Sequence, residues 1–216
     1  MTKVNDFVYK VIPAGIFDAN CTIVGHPKTG NYVLCDVSGS SEQIVAEAKG
    51  LGLTKCVGVF FTHGHFDHIG DATKIKQLTG APLYMNQADQ KLYGDVKRQC
   101  KAFGVPVVSE LVPIDVFVKE DDIIAIDDMK GRVIHTPGHS PGSACLYFEE
   151  LDLLINGDTL FRGSMGRTDL WGGSYEQIED SIKNKLFKLP ERTVVITGHG
   201  ADTTIGYEKR NNMINY

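Results

Sequence analysis

The chain reads Thr62-His63-Gly64-His65-Phe66-Asp67-His68-Ile69-Gly70 immediately after an apolar run, Val57–Phe61. In an extended segment side chains alternate sides, so we expect His63, His65 and Asp67 to point one way and His68 to begin a second pocket. Neutral imidazoles together with a carboxylate are the ligands that zinc prefers, and iron or manganese accept them less selectively. The stretch therefore predicts a metal site at a strand end, with the ligand types for two adjacent ions.

Three later apolar runs end in a similar way, with a polar residue directly after Gly. They are Val133-Ile134-His135-Thr136-Pro137-Gly138-His139, Leu153-Leu154-Ile155-Asn156-Gly157-Asp158 and Val194-Val195-Ile196-Thr197-Gly198-His199. Strand ends that converge on one edge gather polar groups that are distant in sequence. Each ending alone is weak evidence, because Gly-Asp and Gly-His also occur in plain turns. Together with residues 62–70 they predict one shared site.

Composition excludes several function classes. The 216 residues are 42% hydrophobic and 23% charged, which predicts an ordinary globular domain spanning residues 1–216. A net charge of −5 means that the chain lacks the excess of positive charge that favours binding to nucleic acid or to an anionic membrane. No apolar stretch approaches the roughly 20 residues of a membrane span, and residues 1–10 lack the apolar core of a signal peptide. The five scattered cysteines read as buried apolar residues in a reducing compartment, so the expected location is the cytoplasm.

Apolar periodicity predicts strands and helices in two strand-rich halves, each followed by helices. The predicted strands are 7–12, 21–24, 32–37, 57–61, 82–85, 123–126, 131–135, 144–148, 153–155 and 193–197. One predicted helix begins near residue 40. Three further predicted helices cover 71–78, much of 87–103, and 175–186.

With these motifs in place, the chain resembles the metallo-β-lactamase-fold hydrolases over nearly its whole length. The stretches 136–143, 157–161 and 166–170 are similar to the glyoxalase II-like subgroup, which includes short, bacterial-type hydroxyacylglutathione hydrolases and persulfide dioxygenases. The resemblance implies an α/β fold, a four-layer αββα sandwich in a single domain, with metals at one edge of the two sheets. It also implies the ligands: His63, His65 and His139 for one metal, Asp67, His68 and His199 for the other, and Asp158 as the bridge.

The resemblance implies a metal-dependent thioesterase that hydrolyses an acyl-glutathione or a similar small-molecule thioester. Two Zn²⁺ ions are the expected cofactors, with Fe²⁺ possible. Two such ions lower the pKa of a shared water and supply a hydroxide nucleophile, so Asp67 receives only an auxiliary role as proton acceptor. Arg167 is the candidate substrate-binding residue, because its guanidinium suits a substrate carboxylate. The alternative for Arg167 is an ion pair with Asp169 that only fixes the loop. Trp171 either lines the pocket mouth or caps this loop.

Other functions stay open at this point. A persulfide dioxygenase would use a single iron with two His and one carboxylate. A nuclease of the same fold shares the motif of residues 62–70, but the acidic charge opposes it. A non-catalytic metal-binding role is the fourth alternative. Full-length glyoxalase II has a helical C-terminal domain that holds glutathione, whereas only residues 200–216 follow His199, so a thioesterase in the broad sense is the safer expectation.

The two remaining polar candidates are histidines outside the motif. His135 either orients a ligand or is a buried, satisfied histidine. His26 is expected in a surface turn.

Overall fold

The computed structural model describes residues 2–4, 6–107 and 110–215, with side chains from residue 6 onward. Most of the strands form two large sheets. The first sheet contains β1 (Thr2–Val4), β2 (Phe7–Ala14), β3 (Ala19–His26), β4 (Asn31–Cys35), β5 (Lys55–Phe60), β6 (Leu83–Asn86) and β7 (Val116–Val118). The later strands are β8 (Ile123–Ile126), β9 (Met129–His135), β10 (Ala144–Phe148), β11 (Leu153–Gly157), β12 (Leu160–Phe161), β13 (Ser164–Met165), β14 (Val194–Thr197) and β15 (Thr203–Thr204).

Strand order differs between the two sheets. The first sheet follows the chain from β1 to β7, antiparallel as far as β4 and parallel from β4 to β7. The second has the order β15-β14-β11-β10-β9-β8, with β11 and β14 as its parallel pair, while β12 and β13 form a separate hairpin. The parallel strands bring successive strand ends to the same edge of each sheet.

Seven α-helices lie in the described part of the chain. They are α1 (Ser41–Gly50), α2 (Phe66–Ile69), α3 (Ala72–Thr79), α4 (Gln90–Gly94), α5 (Val96–Phe103), α6 (Tyr175–Asp180) and α7 (Ile205–Asn211). The predicted helix 87–103 is divided into a 3₁₀ turn (Gln87–Asp89), α4 and α5, with the break at Asp95. The predicted helix 175–186 begins as α6 and continues as a π-helical segment, Ser181–Lys185.

Three apolar cores separate four layers. The β10 residues Leu146 and Phe148 pack between the two sheets, whereas Cys145 and Tyr147 on the opposite face pack against α6, α7 and the segment between them. On the other side of the molecule, Leu34 packs beneath α1 and α3. Because the central strands are buried on both faces, their sequences read as continuous apolar runs. The layers confirm the αββα sandwich that the resemblance implied.

Several short elements escaped sequence analysis. The strands β1, β7, β12, β13 and β15 and the helix α7 were not predicted. Two- and three-residue strands carry too few residues for a visible alternation of apolar and polar positions.

Two further findings concern the whole of the described chain. Its five cysteines are free, and four of them are buried, as expected. No helix among residues 2–4, 6–107 and 110–215 combines the length and apolar character that crossing a membrane requires.

Candidate metal centre

The predicted site lies where strands of the two sheets end together. The residues of interest follow β5, β9, β11 and β14. Ala144 N–H donates to the Thr62 carbonyl at 2.8 Å, and Gly198 N–H donates to the Gly157 carbonyl at 2.7 Å. These backbone bonds join the strand ends, so polar residues from four separate parts of the chain face one another.

Three overlapping groups of side chains have ligand atoms within 4.8 Å of one another. They are His63, His65 and His139; Asp67, His68 and His199; and His63, His68 and Asp158. All seven residues predicted as metal ligands are therefore brought together.

Asp158 lies between the first two groups. Its Oδ2 atom is 3.5 Å from His139 Nε2 and 3.8 Å from His199 Nε2, while its Oδ1 atom is 3.4 Å from His68 Nε2. The β-bulge at the end of β11 positions it: the pairing with β14 shifts after Ile155, and Gly157 has φ +56°, a conformation that favours glycine. One carboxylate thus faces histidines of both groups.

The extended conformation expected for residues 63–67 ends at His65. From Phe66 the chain turns into α2, in which the N–H of His68 donates to the His65 carbonyl at 3.0 Å. Asp67 consequently joins His68 and His199 rather than sharing a side with His63 and His65, so that part of the prediction is wrong. The turn depends on Gln99 in α5, whose Oε1 accepts the Phe66 N–H at 3.1 Å and whose Nε2 donates to the Gly64 carbonyl at 2.9 Å.

Four of the five clustered histidines are anchored through Nδ1, which leaves Nε2 directed at the centre. The anchors are Thr62 Oγ1 for His63 at 3.0 Å, Asp36 Oδ2 for His68 at 2.9 Å, the Arg167 carbonyl for His139 at 2.8 Å and the Phe17 carbonyl for His199 at 2.9 Å. The Asp36 carboxylate and the two carbonyls can only accept, so Nδ1 of His68, His139 and His199 donates to them, and in the neutral ring the Nε2 lone pair is available to a metal.

Unsatisfied buried atoms test whether a metal fits here. His63 Nε2, His65 Nε2 and Asp158 Oδ1 are buried and have no hydrogen-bond partner among the described residues. Burying such atoms without a partner costs about 1–3 kcal/mol each. His65 presents Nδ1 to the cluster, 2.9 Å from His139 Nε2. Imidazole nitrogens gathered with the Asp158 carboxylate are a donor set for zinc or iron, and the cluster fits a divalent cation.

The pKa shifts of the clustered histidines show how burial and the nearby carboxylates act on this site. Burial, followed by the neighbouring histidines, lowers the pKa of His63 well below its usual value, and burial with the His139 charge lowers that of His65 to about 3. For His68, burial acts in the opposite sense to the carboxylates of Asp158 and Asp36, which prevail and raise its pKa to about 10. The carboxylates thus favour positive charge at this edge of the sheets.

Asp36 was missed by sequence analysis. Its buried carboxylate accepts from Thr62 N at 2.8 Å and Thr62 Oγ1 at 2.7 Å, as well as from His68 Nδ1. It directly follows β4 and has φ +55°. An acidic residue at the end of a buried strand is the signal already seen at Asp158, and it could have been found.

Asp89 was also missed. Fully buried after β6, its carboxylate accepts from Gly64 N at 2.8 Å, Gly142 N at 2.6 Å and Ser140 Oγ at 2.6 Å. It therefore joins the loop of His63 and His65 to the loop of His139. No pattern around residue 89 indicated this, because its partners are backbone amides 25 and 53 residues away.

Glycines allow close approach to Asp158. A Cβ atom at Gly198 would overlap Asp158 Oδ1, and one at Gly166 would overlap the Asp158 carbonyl oxygen. These two positions require glycine because of contact rather than because of an unusual φ.

Arg167 forms the ion pair that was the alternative to substrate binding. Its Nε and Nη2 atoms donate to the Asp169 carboxylate at 2.7 and 2.8 Å. Both side chains are more than half exposed, so water and salt screen the pair and it contributes little to stability. Arg167 also lines the cleft over the metal centre, which leaves its side chain accessible to a bound anion.

The cleft over the metal centre has a volume of about 290 Å³. One side of it is aromatic: the Phe17 ring lies 5.5 Å from that of Phe66 and 6.3 Å from that of Phe103. Leu170 and Arg167 line it as well. An apolar wall and one guanidinium therefore flank the histidine cluster.

The remaining histidines lie outside the cluster. The His135 ring bonds the Pro141 carbonyl at 3.0 Å, which braces the loop of His139 without contact to a clustered side chain. His26 packs its ring edge-on against Phe7 at 4.5 Å, beside the turn after β3. Neither residue contributes to the metal centre.

Comparison with known proteins places the chain in a family. The model of the Metallo-beta-lactamase superfamily matches residues 14–199, and the chain belongs to that superfamily. It is 35% identical over 204 residues to the hydroxyacylglutathione hydrolase GloC of Haemophilus influenzae, covering 94% of this chain and 95% of GloC.

Two crystal structures are similar over nearly their whole length. The BLEG-1 B3 metallo-β-lactamase has a TM-score of 0.88 and 33% identity, covering 95% of this chain and 98% of that one. TTHA1623 in a di-iron-bound form has a TM-score of 0.84 and 31% identity, covering 94% and 98%. These relatives support a metallo-hydrolase of the glyoxalase II-like subgroup and leave zinc and iron as alternatives.

Proposed function

We propose that this chain is a thioesterase that binds two divalent metal ions and hydrolyses small-molecule thioesters. The observation that carries the proposal is the set of buried atoms of His63, His65 and Asp158 that have no hydrogen-bond partner among the described residues, below an open cleft. The similarity to a hydroxyacylglutathione hydrolase supports the thioester class.

We assign one metal to His63, His65 and His139, the other to Asp67, His68 and His199, and a bridging position to Asp158. Two Zn²⁺ ions are the proposed cofactors, and Fe²⁺ is the alternative. When bound, such ions activate water as a nucleophile and polarise the substrate carbonyl. The protein orients the histidine rings: hydrogen bonds to oxygen atoms hold His68, His139 and His199 with Nε2 toward the centre.

The titratable groups in the cleft favour a thioester over an amide. Among the described residues that line it, these groups are the clustered His and Asp side chains and Arg167. An amine leaving group needs a proton as the bond breaks, which calls for a general acid. A thiolate is a far better leaving group and departs without one, so the absence of a separate acid from the cleft suits a thioester.

Asp67 is the proposed auxiliary proton acceptor. Its Oδ2 atom lies 3.3 Å from His199 Nε2, and the carboxylate lines the cleft. Although burial opposes ionisation, the neighbouring His199 and His68 side chains prevail and hold the pKa of Asp67 below its usual value. The group is therefore ionised at neutral pH and accepts a proton only transiently.

Substrate contacts follow from the cleft walls. Phe17, Phe103 and Leu170 offer apolar surface to the acyl group, and Arg167 offers a guanidinium to a carboxylate. The proposed partner is thus a small molecule rather than nucleic acid. The five free cysteines, four of them buried, support a reducing compartment, and we propose the cytoplasm.

The experiment is metal analysis of the purified protein together with release of thiol from S-lactoylglutathione. Two metal ions per chain with thiol release support the proposal. Purified protein loaded with zinc or iron that releases no thiol from any of several thioesters contradicts it. Nitrocefin belongs in the same series because of the similarity to BLEG-1, and turnover of this β-lactam in place of thioesters would assign a different reaction.

A second candidate is a persulfide dioxygenase, a class that the resemblance to the subgroup includes. The similar ETHE1 crystal structure from Myxococcus xanthus, with a TM-score of 0.79 and 26% identity, supports it. This function predicts one iron per chain and oxygen uptake with glutathione persulfide, without thioester turnover.

A further inference from the structure

The turn between β2 and β3 reaches the metal centre from the first sheet. It comprises residues 15–18, and we call it the Phe17 turn. The Phe17 carbonyl accepts a hydrogen bond from His199 Nδ1 at 2.9 Å, and the Phe17 ring lines the cleft over the metal centre. This is the one hydrogen bond that residues 15–18 form within the described part of the chain. A single residue therefore contributes a backbone acceptor to a clustered histidine and a side chain to the cleft.

His199 is the most exposed of the five clustered histidines. The other four are buried, whereas 27% of the His199 side chain is exposed to solvent. Water competes for an exposed hydrogen bond, so such a bond contributes to orientation only where the surrounding structure already holds both partners in place. The orientation of the His199 ring therefore depends on how firmly the Phe17 carbonyl is held.

The Phe17 ring packs on the helix that carries Asp67 and His68, the two other members of the ligand group of His199. Its centroid lies 5.5 Å from that of Phe66, with an angle of 68° between the ring planes, and Phe66 is the first residue of α2. Aromatic rings attract one another in this edge-to-face arrangement. Phe17 thus contacts both parts of the group, His199 through its carbonyl and the helix of Asp67 and His68 through its ring.

The other ligand group, His63, His65 and His139, is held independently of the Phe17 turn. Thr62 Oγ1 lies 3.0 Å from His63 Nδ1, and the Arg167 carbonyl accepts from His139 Nδ1 at 2.8 Å. His65 Nδ1 lies 2.9 Å from His139 Nε2. A disturbance of the Phe17 turn should therefore affect one ligand group and leave the other in place.

We propose that Phe17 is a positioning residue for the metal ion of Asp67, His68 and His199. The packing of its ring against Phe66 holds its carbonyl in place for His199, and the group retains its ion for that reason. The inference rests on the two-metal centre of the proposed function and adds to it a residue outside the ligand set. It also makes the two ions unequal, because the ring of Phe17 supports one of them alone.

The backbone beside Phe17 offers the competing explanation. Ala19 and His199 form an isolated antiparallel β-bridge, which brings the two backbones together next to the turn. If this bridge alone held the Phe17 carbonyl, removal of the ring would not change metal binding. If the ring holds the carbonyl, its removal weakens one ion and spares the other. Truncation of the side chain separates the two cases, since it leaves the carbonyl and the bridge in the chain.

The experiment is a Co²⁺ titration of the metal-free protein, followed by visible absorption and by competition with a chelator. His199→Ala serves as the reference, because the absorption that it loses identifies the ion of the His199 group. We expect Phe17→Ala to raise the Kd of that ion about 10-fold and to leave the Kd and the spectrum of the other ion unchanged. Phe17→Tyr keeps the ring and should restore the wild-type Kd.

Two alanine variants are the matched controls. Ile16→Ala changes an exposed neighbour in the same turn that does not line the cleft. Phe117→Ala removes a ring of similar exposure, 38% against 42% for Phe17, from β7 and outside the cleft. Both should bind two ions as the wild type does. An effect of Ile16→Ala equal to that of Phe17→Ala, or equal weakening of both ions in Phe17→Ala, would overturn the selective role of the ring.

The same titration separates this inference from the proposed function. A wild-type protein that binds a single ion refutes the two-metal centre and the role of Phe17 together. Two ions in the wild type with an unchanged Kd in Phe17→Ala overturn the role of Phe17 alone. Absence of thioester turnover contradicts the proposed reaction, while the Co²⁺ titrations still decide whether the Phe17 ring retains the ion.

Discussion

His68 Nδ1 lies 2.9 Å from Asp36 Oδ2, and both side chains are buried. The carboxylate also accepts from the Thr62 hydroxyl, which in turn bonds the ring of His63. One aspartate thereby orients a histidine of each proposed ligand group. It does so from the end of β4, a strand that supplies no ligand of its own.

Replacing Asp36 tests this relationship. We expect Asp36→Asn to weaken metal binding about 10- to 100-fold, because an amide oxygen is a poorer acceptor than a carboxylate for the His68 ring. Competition with a chromogenic chelator measures the affinity. Asp128→Asn, at an exposed position, is the control and should bind metal as the wild type does. Equal affinity of both variants would refute an orienting role for Asp36.

Removal of Asp89 should affect stability as well as the site. Asp89→Ala leaves the buried N–H groups of Gly64 and Gly142 without an acceptor, which costs about 3 kcal/mol or more of the free energy of unfolding. Urea denaturation in the presence of a chelator measures this loss separately from any loss of metal. A change below about 1 kcal/mol would mean that water or other groups replace the carboxylate.

Gly198→Ala is a substitution of one methyl group at the metal centre. Because the new Cβ would overlap Asp158 Oδ1, we expect the Asp158 side chain to move and the metal content per chain to fall. Gly50→Ala at the end of α1 has no atom within 4 Å of the added methyl and serves as the matched control. Metal analysis by mass spectrometry distinguishes the two, and full occupancy in Gly198→Ala would contradict the close packing.

Metal removal should lower the melting temperature. A metal present at 1,000 times its Kd stabilises the native state by about 4 kcal/mol, which corresponds to about 10 °C for a chain of this size. Differential scanning fluorimetry before and after treatment with a chelator, with Zn²⁺ added back, measures the shift. A melting temperature that does not respond to Zn²⁺ would contradict the proposed centre.

Arg167 and Asp169 offer a paired comparison. We expect Arg167→Gln to raise KM several-fold for a substrate with a carboxylate, while the Arg167 carbonyl continues to hold His139. Because the ion pair is exposed, Asp169→Asn should leave the urea midpoint of unfolding nearly unchanged. If Asp169→Asn raises KM as much as Arg167→Gln does, the guanidinium acts only through the loop.

The residues that sequence analysis brought together share one property: each directly follows an apolar strand or the turn after it. His139, Asp158 and His199 were visible because a buried strand and a glycine precede each of them. The helix at Phe66 was not visible, because a four-residue turn has no apolar period and depends on Gln99, 33 residues away. Asp89 was hidden for the same physical reason, since its role consists of contacts with distant backbone groups.

The proposed second group joins the two halves of the sandwich. Asp67 and His68 follow a strand of the first sheet, and His199 follows a strand of the second. Asn20 spans the same gap, because its N–H donates to the Gly198 carbonyl at 2.8 Å and its side chain to the Thr197 carbonyl at 2.9 Å. An ion held by Asp67, His68 and His199 would therefore cross-link the two sheets, and separating them at this edge would first require release of the ion.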